Sequence, residues 1–100
     1  MSAEDEIRVR CQAAPDGWRC QITVGDGPGQ TRHDVTVSAA DGEELAAATD
    51  ASHVQRLIEE TFDFLLEREP KTSILRSFDI TVVSRYFPDF EHEIKSRLAP

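Results

Sequence analysis

Long apolar runs are missing from this chain of 100 residues. No window of about 18 apolar residues exists, so no membrane-spanning helix is expected. The opening MSAEDEI is acidic and polar where a secretory leader would be basic and then apolar, which points to a cytoplasmic protein. A basic excess is missing too. The formal charge is −8 and the pI about 4.7, whereas generic binding to nucleic acid or anionic lipid needs clustered cations that release counterions. Neither half compensates: residues 1–50 hold four Arg against ten acids, and residues 51–100 hold seven Lys or Arg against nine. Lysine is scarce, two against nine arginines, a bias common in proteins from high-GC bacteria.

Repeats and low-complexity tracts are also absent, and a chain of this length buries roughly 60% of its unfolded surface in one modest core. The expected organisation is a flexible N-terminus over 1–6 and a single domain over 7–98. Aromatic residues are few, seven in all, but six of them fall between Phe62 and Phe90. Because these side chains carry the largest burial energy per residue, that block marks where the core is anchored.

Residues 7–11 (Ile-Arg-Val-Arg-Cys) and 18–24 (Trp-Arg-Cys-Gln-Ile-Thr-Val) alternate apolar and polar with the period of half-buried strands. Pro15 and Gly17 between them predict a turn and an antiparallel hairpin. A second turn signal, Gly25-Asp26-Gly27-Pro28-Gly29, precedes an alternating run from Thr31 to Val37, completing a three-stranded meander. Residues 40–48 lean to a short helix interrupted by Gly42.

The spacing of Val54, Leu57, Ile58, Thr61, Phe62 and Leu65 predicts an amphipathic helix over 53–69, with Ser52 and Gln55 as a capping box and Pro70 at its end. Phe64 and Leu66 widen its apolar arc to about 200°, more than one sheet face covers, so a second layer must pack on the far side. Ser73 to Leu98 supplies it as three short helices, starting before Ile74-Leu75, at Asp79 before Ile80 and at Pro88-Asp89 before Phe90. Residues 80–83 (Ile-Thr-Val-Val) also fit a strand, and helix is preferred. The fold class is α+β: an N-terminal meander packed on one long helix and capped by short C-terminal helices. Its expected core is Val9, Trp18, Ile22, Val35, Val37, Leu57, Ile58, Phe62, Leu65, Ile74, Leu75, Phe78, Val83 and Phe87.

Chemistry-bearing patterns are sparse. Hairpin pairing about Pro15 and Asp16 sets Cys11 opposite Cys20 on the apolar face, where the pair can serve as small buried hydrophobes, a disulfide or half of a zinc site. The first fits a cytosolic chain best, and zinc lacks two further ligands. Thiol-dependent activity at Cys11 and Cys20 is the third functional reading. The histidines at 33, 53 and 92 are isolated in sequence, and Gly25 to Gly29 leads into a strand rather than into the helix that a phosphate loop requires. Glu59-Glu60 and Glu91 with Glu93 fall at polar helical positions. No catalytic, cofactor or metal residue is nominated.

Two surfaces remain. Strand alternation sends Arg8, Arg10, Arg19 and Arg32 to the outer sheet face with Gln12, Gln21, Thr23, Asp34 and Thr36. Such a face could take an acidic peptide or a phosphate bidentately, or it is a solvated face neutralised by Glu4, Asp5, Glu6 and Asp26. It carries no aromatic platform for bases, which disfavours nucleic acid. The second surface is Tyr86 to Phe90, where three aromatics crowd around Pro88 and a ring such as Tyr86 or Phe90 could enter a partner groove.

The segment from Phe62 through Arg85-Tyr86-Phe87-Pro88 resembles small uncharacterised bacterial proteins of actinobacterial type, and the hairpin does so more loosely. That resemblance implies a bacterial single-domain protein and carries no activity or site residue. The expected function is that of a non-enzymatic protein-interaction module with an unidentified protein partner, no cofactor and no membrane association. Anion or nucleic-acid binding through the arginine face is the alternative. The oligomeric state is left open.

Overall fold

Pro15 and Asp16 turn the chain between β1 (Ile7–Ala14) and β2 (Gly17–Val24), which pair antiparallel with Cys11 opposite Cys20. The computed structural model describes residues 6–48 and 50–99; the expectation for residues 1–5, with Glu4 and Asp5, lies outside them. Gly17 is required where it stands. Its φ is +155°, and a Cβ there would meet the Val37 carbonyl oxygen as well as Ala39 N at 2.6 Å. β3 (Thr31–Ser38) adds antiparallel to β2, giving the expected meander with Ile22 beside His33 and Trp18 beside Val37.

Ser38 then starts α1 (Ala39–Ala46), its hydroxyl accepting from the Asp41 N–H at 3.0 Å. The long helix, α2, is Ala51–Leu66. It begins two residues earlier than the spacing predicts because the cap is Asp50, whose carboxylate accepts from the His53 N–H at 3.1 Å; Ser52 instead donates to that carboxylate at 2.8 Å. The helix stops at Leu66, before the proline, where the Arg68 and Glu69 N–H groups both close on the Leu65 carbonyl.

The expected first C-terminal helix is absent. Lys71–Ser73 form one 3-10 turn, Ile74 is extended, and β4 (Ser77–Asp79) lies parallel to β3. Three residues are too short to show strand alternation. They are held by bonds from the Asp34 N–H to the Arg76 carbonyl at 2.7 Å and from the Ile80 N–H to the Thr36 carbonyl at 2.9 Å. The extended backbone explains a second correction, since successive side chains point oppositely: Ile74 is buried as expected but Leu75 is 47% exposed. The 80–83 segment is helical, within α3 (Thr81–Tyr86), and α4 (Phe90–Leu98) follows.

The sheet order is β1-β2-β3-β4, and one face of it is covered by α2, which lies closest to β1, and by α1, which lies against β2 and β3; Ile22, Val24, Val35, Val37, Leu57, Ile58 and Phe62 are buried in the core between them. Trp18, Val9, Phe78 and Phe87, expected in the core, are half-buried against it. The far side of α2 is covered as its wide apolar arc demands. Phe64 meets Phe90 edge-on at 5.2 Å and Phe87 at 5.8 Å between centroids. The Arg68 guanidinium lies 3.6 Å from the centre of the same ring. Among the described residues no helix is long and apolar enough to cross a membrane.

Candidate functional site

Once the core is closed, the described residues leave two large apolar side chains exposed, Leu75 at 47% and Tyr86 at 67%. They come from different elements and line the same groove. Its volume is about 250 Å³, and its walls are Leu65, Ile74, Phe78, Val82, Val83 and Phe87, with Ser73 and Glu69 as the polar lining. The groove exists because α2 ends early and Ile74 runs extended, leaving a trough between the end of α2, β4 and α3. Partial burial raises the Glu69 carboxyl above its ordinary value.

Of the aromatic corner, Tyr86 is exposed and Phe87 half-buried, but Phe90 is removed from the surface altogether. It heads α4 and seals Phe64, so it is core and not a contact residue. Leu75 and Glu69 were not singled out by the sequence. Leu75 was readable as outward only if Ser73 to Arg76 were known to be extended. Nothing in sequence marks Glu69, whose setting depends on where α3 packs.

The outer sheet face is assembled as alternation predicts. In register across the strands stand Arg8, Thr23 and Arg32; then Arg10, Gln21, Asp34 and Ser77; then Gln12, Arg19, Thr36 and Asp79. The arginines are all exposed. Arg8 meets Glu6 at 3.4 Å, while Arg10, Arg19 and Arg32 make no ion pair among the described residues. By contrast, Lys95 on the helical side reaches both Glu44 and Glu91 at 2.9 and 3.3 Å. Arg97 similarly reaches Glu67 and Glu93 at 2.7 and 3.2 Å. Asp26 is exposed and makes no ion pair with these arginines among the described residues. Asp79 is occupied: burial raises its pKa, but bonds donated by the Thr36 hydroxyl, the Thr81 hydroxyl and the Thr81 N–H outweigh that and hold it below the usual range.

Cys11 and Cys20 are joined, so the thiol pair stands here as a disulfide on the inner sheet face. The register supplies the reason. A cross-strand pair that exchanges no backbone hydrogen bonds brings its Cα atoms closest, and here they are 4.0 Å apart. The histidines do not gather. His33 is buried, with Nδ1 2.7 Å from the Leu75 carbonyl oxygen and Nε2 2.9 Å from the Thr31 hydroxyl. A carbonyl only accepts, so Nδ1 carries a proton and the ring ties β3 to the segment before β4. His53 contacts Asp50 at the start of α2, and His92 is exposed on α4.

Searched against protein-family models, curated proteins and solved structures, the chain matches none of them.

Proposed function

We propose that this chain is a non-catalytic protein-interaction module acting in the cytoplasm, and that its binding surface is the groove between Leu75 and Tyr86. One observation carries the reading. The two large apolar side chains left exposed among the described residues border a single trough with an apolar floor. Anchors of this kind, an aromatic ring beside a pocket with a polar rim, dominate the energetics of protein interfaces. Glu69, disfavoured as an anion by its surroundings, fits a partner that brings a cation next to its apolar anchor. The histidine environments support the non-catalytic part, since both nitrogens of His33 are engaged in holding two segments together.

The test begins with capture of binding proteins by the native chain, followed by reconstitution with each purified candidate. Tyr86→Ala and Leu75→Ser should each weaken the reconstituted complex by tenfold or more while the fold survives. Retained affinity in both variants would remove the groove from the interaction. A cytoplasmic setting and the Cys11–Cys20 bond make opposite demands, because thiols are kept reduced there. Rapid alkylation in intact cells decides: modification of both cysteines supports the cytoplasm, and protection of both places the chain in an oxidising compartment.

A further inference from the structure

The first strand of the sheet is also its edge, since among the described residues β1 pairs only with β2. Which backbone groups face outward follows from the register. The two-residue turn makes Ala14 and Gly17 a hydrogen-bonded pair, so positions 12, 10 and 8 bond inward to β2 and the odd positions between them do not. The short Cα separation at Cys11 and Cys20 fits that phase, and so does the bond from the Gly25 N–H to the Glu6 carbonyl at 2.8 Å. Ile7, Val9, Cys11 and Ala13 therefore direct their N–H and C=O groups away from β2, to the side where no further strand lies among the described residues.

Their side chains add a second peculiarity. His33, Val35 and Val37 of β3, and Cys20, Ile22 and Val24 of β2, are buried, whereas Ile7, Val9 and Cys11 are only half-buried and Ala13 is exposed. Natural sheets guard such edges with proline, bulges or charge. β1 has neither proline nor a bulge over its eight paired positions. Its charges are Arg8 and Arg10, both on the outer face, with Arg10 unpaired among the described residues. These arginines do not block the edge; they select what adds to it. A second copy adding about a two-fold axis at Arg10 would set that arginine against itself, and like charges directly opposite are destabilising. A strand with carboxylates at alternate positions would instead pair with them.

We propose that β1 is an acceptor edge for an extended segment of an acidic protein partner. Alternate Asp or Glu side chains of that segment lie beside Arg8 and Arg10, and the intervening apolar side chains extend the inner face beside Ile7, Val9 and Cys11. Main-chain bonds supply affinity in this mode and the alternating side chains supply specificity. The surface is distinct from the groove and does not depend on that reading.

The probe is a fluorescein-labelled, end-capped peptide Glu-Val-Asp-Val-Glu-Val-Asp, with Lys-Val-Arg-Val-Lys-Val-Arg as its charge-reversed counterpart, added to the oxidised protein. In the free chain the amides of Ile7, Val9, Cys11 and Ala13 should exchange at least tenfold faster than those of Arg8, Arg10 and Gln12. The acidic peptide should bind saturably, slow the fast set by tenfold or more, and lose at least tenfold in affinity in the Arg8→Glu/Arg10→Glu variant. Fast-set amides already protected in the free monomer would overturn the proposal. So would equal binding of the basic peptide to the unaltered protein, or arginine-dependent binding without amide protection, which would place the ligand on the face. A dimer that protects these amides would show that a second copy is the occupant and overturn it likewise.

Discussion

Phe90 and Tyr86 are four residues apart and were both candidates for the surface, but truncating them to alanine should have very different consequences. The Phe90 ring is fully buried, 5.2 Å from Phe64 and on the far side of α2 from the sheet. Removing a buried phenylalanine side chain costs about 3–5 kcal/mol through lost transfer energy and the cavity left behind. Against a typical domain stability of about 5–15 kcal/mol that is a large fraction. With a urea m-value of about 1.5 kcal/mol/M, a loss near 4 kcal/mol lowers the midpoint by roughly 2.5 M. Tyr86 is 67% exposed, and surface substitutions usually stay within about 0.5 kcal/mol, a shift of no more than roughly 0.3 M. The assay is equilibrium urea unfolding followed by circular dichroism, with the disulfide kept oxidised. Equal losses in the two variants would refute the reasoning: Tyr86 would then be a structural ring, and the groove would lose its principal anchor.

Asp50 accepts bonds from the His53 ring, the His53 N–H and the Ser52 hydroxyl, which lower its pKa to about 2 from 3.8. A carboxyl depressed in the folded state stabilises fully above its unfolded pKa and loses that contribution as pH falls toward the folded value. Stability should therefore decline as pH drops from about 4 to about 2, and Asp50→Asn should flatten that part of the curve; a carboxyl carbon resonance titrating at the ordinary value would contradict it. Replacing both Cys11 and Cys20 by alanine opens a link across a sequence separation of 9, worth about 2.5 kcal/mol by chain entropy. An unchanged urea midpoint would show that the hairpin turn already supplies the restraint. Gly17→Ala drives a Cβ into the backbone of Val37, Ser38 and Ala39, so it should cost more than about 1 kcal/mol. Wild-type stability in that variant would mean that the β2 and β3 ends are not so closely apposed.

Regular periodicity makes the meander and α2 legible in the sequence. Val54 to Leu65 repeats every three or four residues, and Ile22, Val24, Val35 and Val37 alternate. The same counting required a cover over Phe64, and α3 and α4 provide it with Phe87 and Phe90. What escaped detection depends on tertiary pairing. β4 holds three residues and is a strand only because β3 lies beside it. Leu75 faces outward because Ile74 next to it is extended and drawn inward, so a residue that composition assigns to the core became part of the groove. Phe90 went the other way for a similar reason, since helical entry at Asp89 swings its ring onto α2. The cysteine pair was placed correctly by register; its bonding depends on oxidation, a variable that spacing does not contain.

The groove and the β1 edge lie at opposite margins of one sheet, since Phe78 of β4 lines the first and β2 and β3 separate β4 from β1. Three strand spacings put them about 14 Å apart. The strands between them carry the core: Cys20, Ile22, Val24, Val35 and Val37 are fully or almost fully buried. One element touches both: Leu65 near the end of α2 lines the groove, and the same helix packs on β1. Their electrostatics differ. The groove is apolar with one partly buried acid, whereas on the outer face Arg10, Arg19 and Arg32 make no ion pair among the described residues of a chain with an excess of acids. A ligand suited to one surface is thus poorly suited to the other.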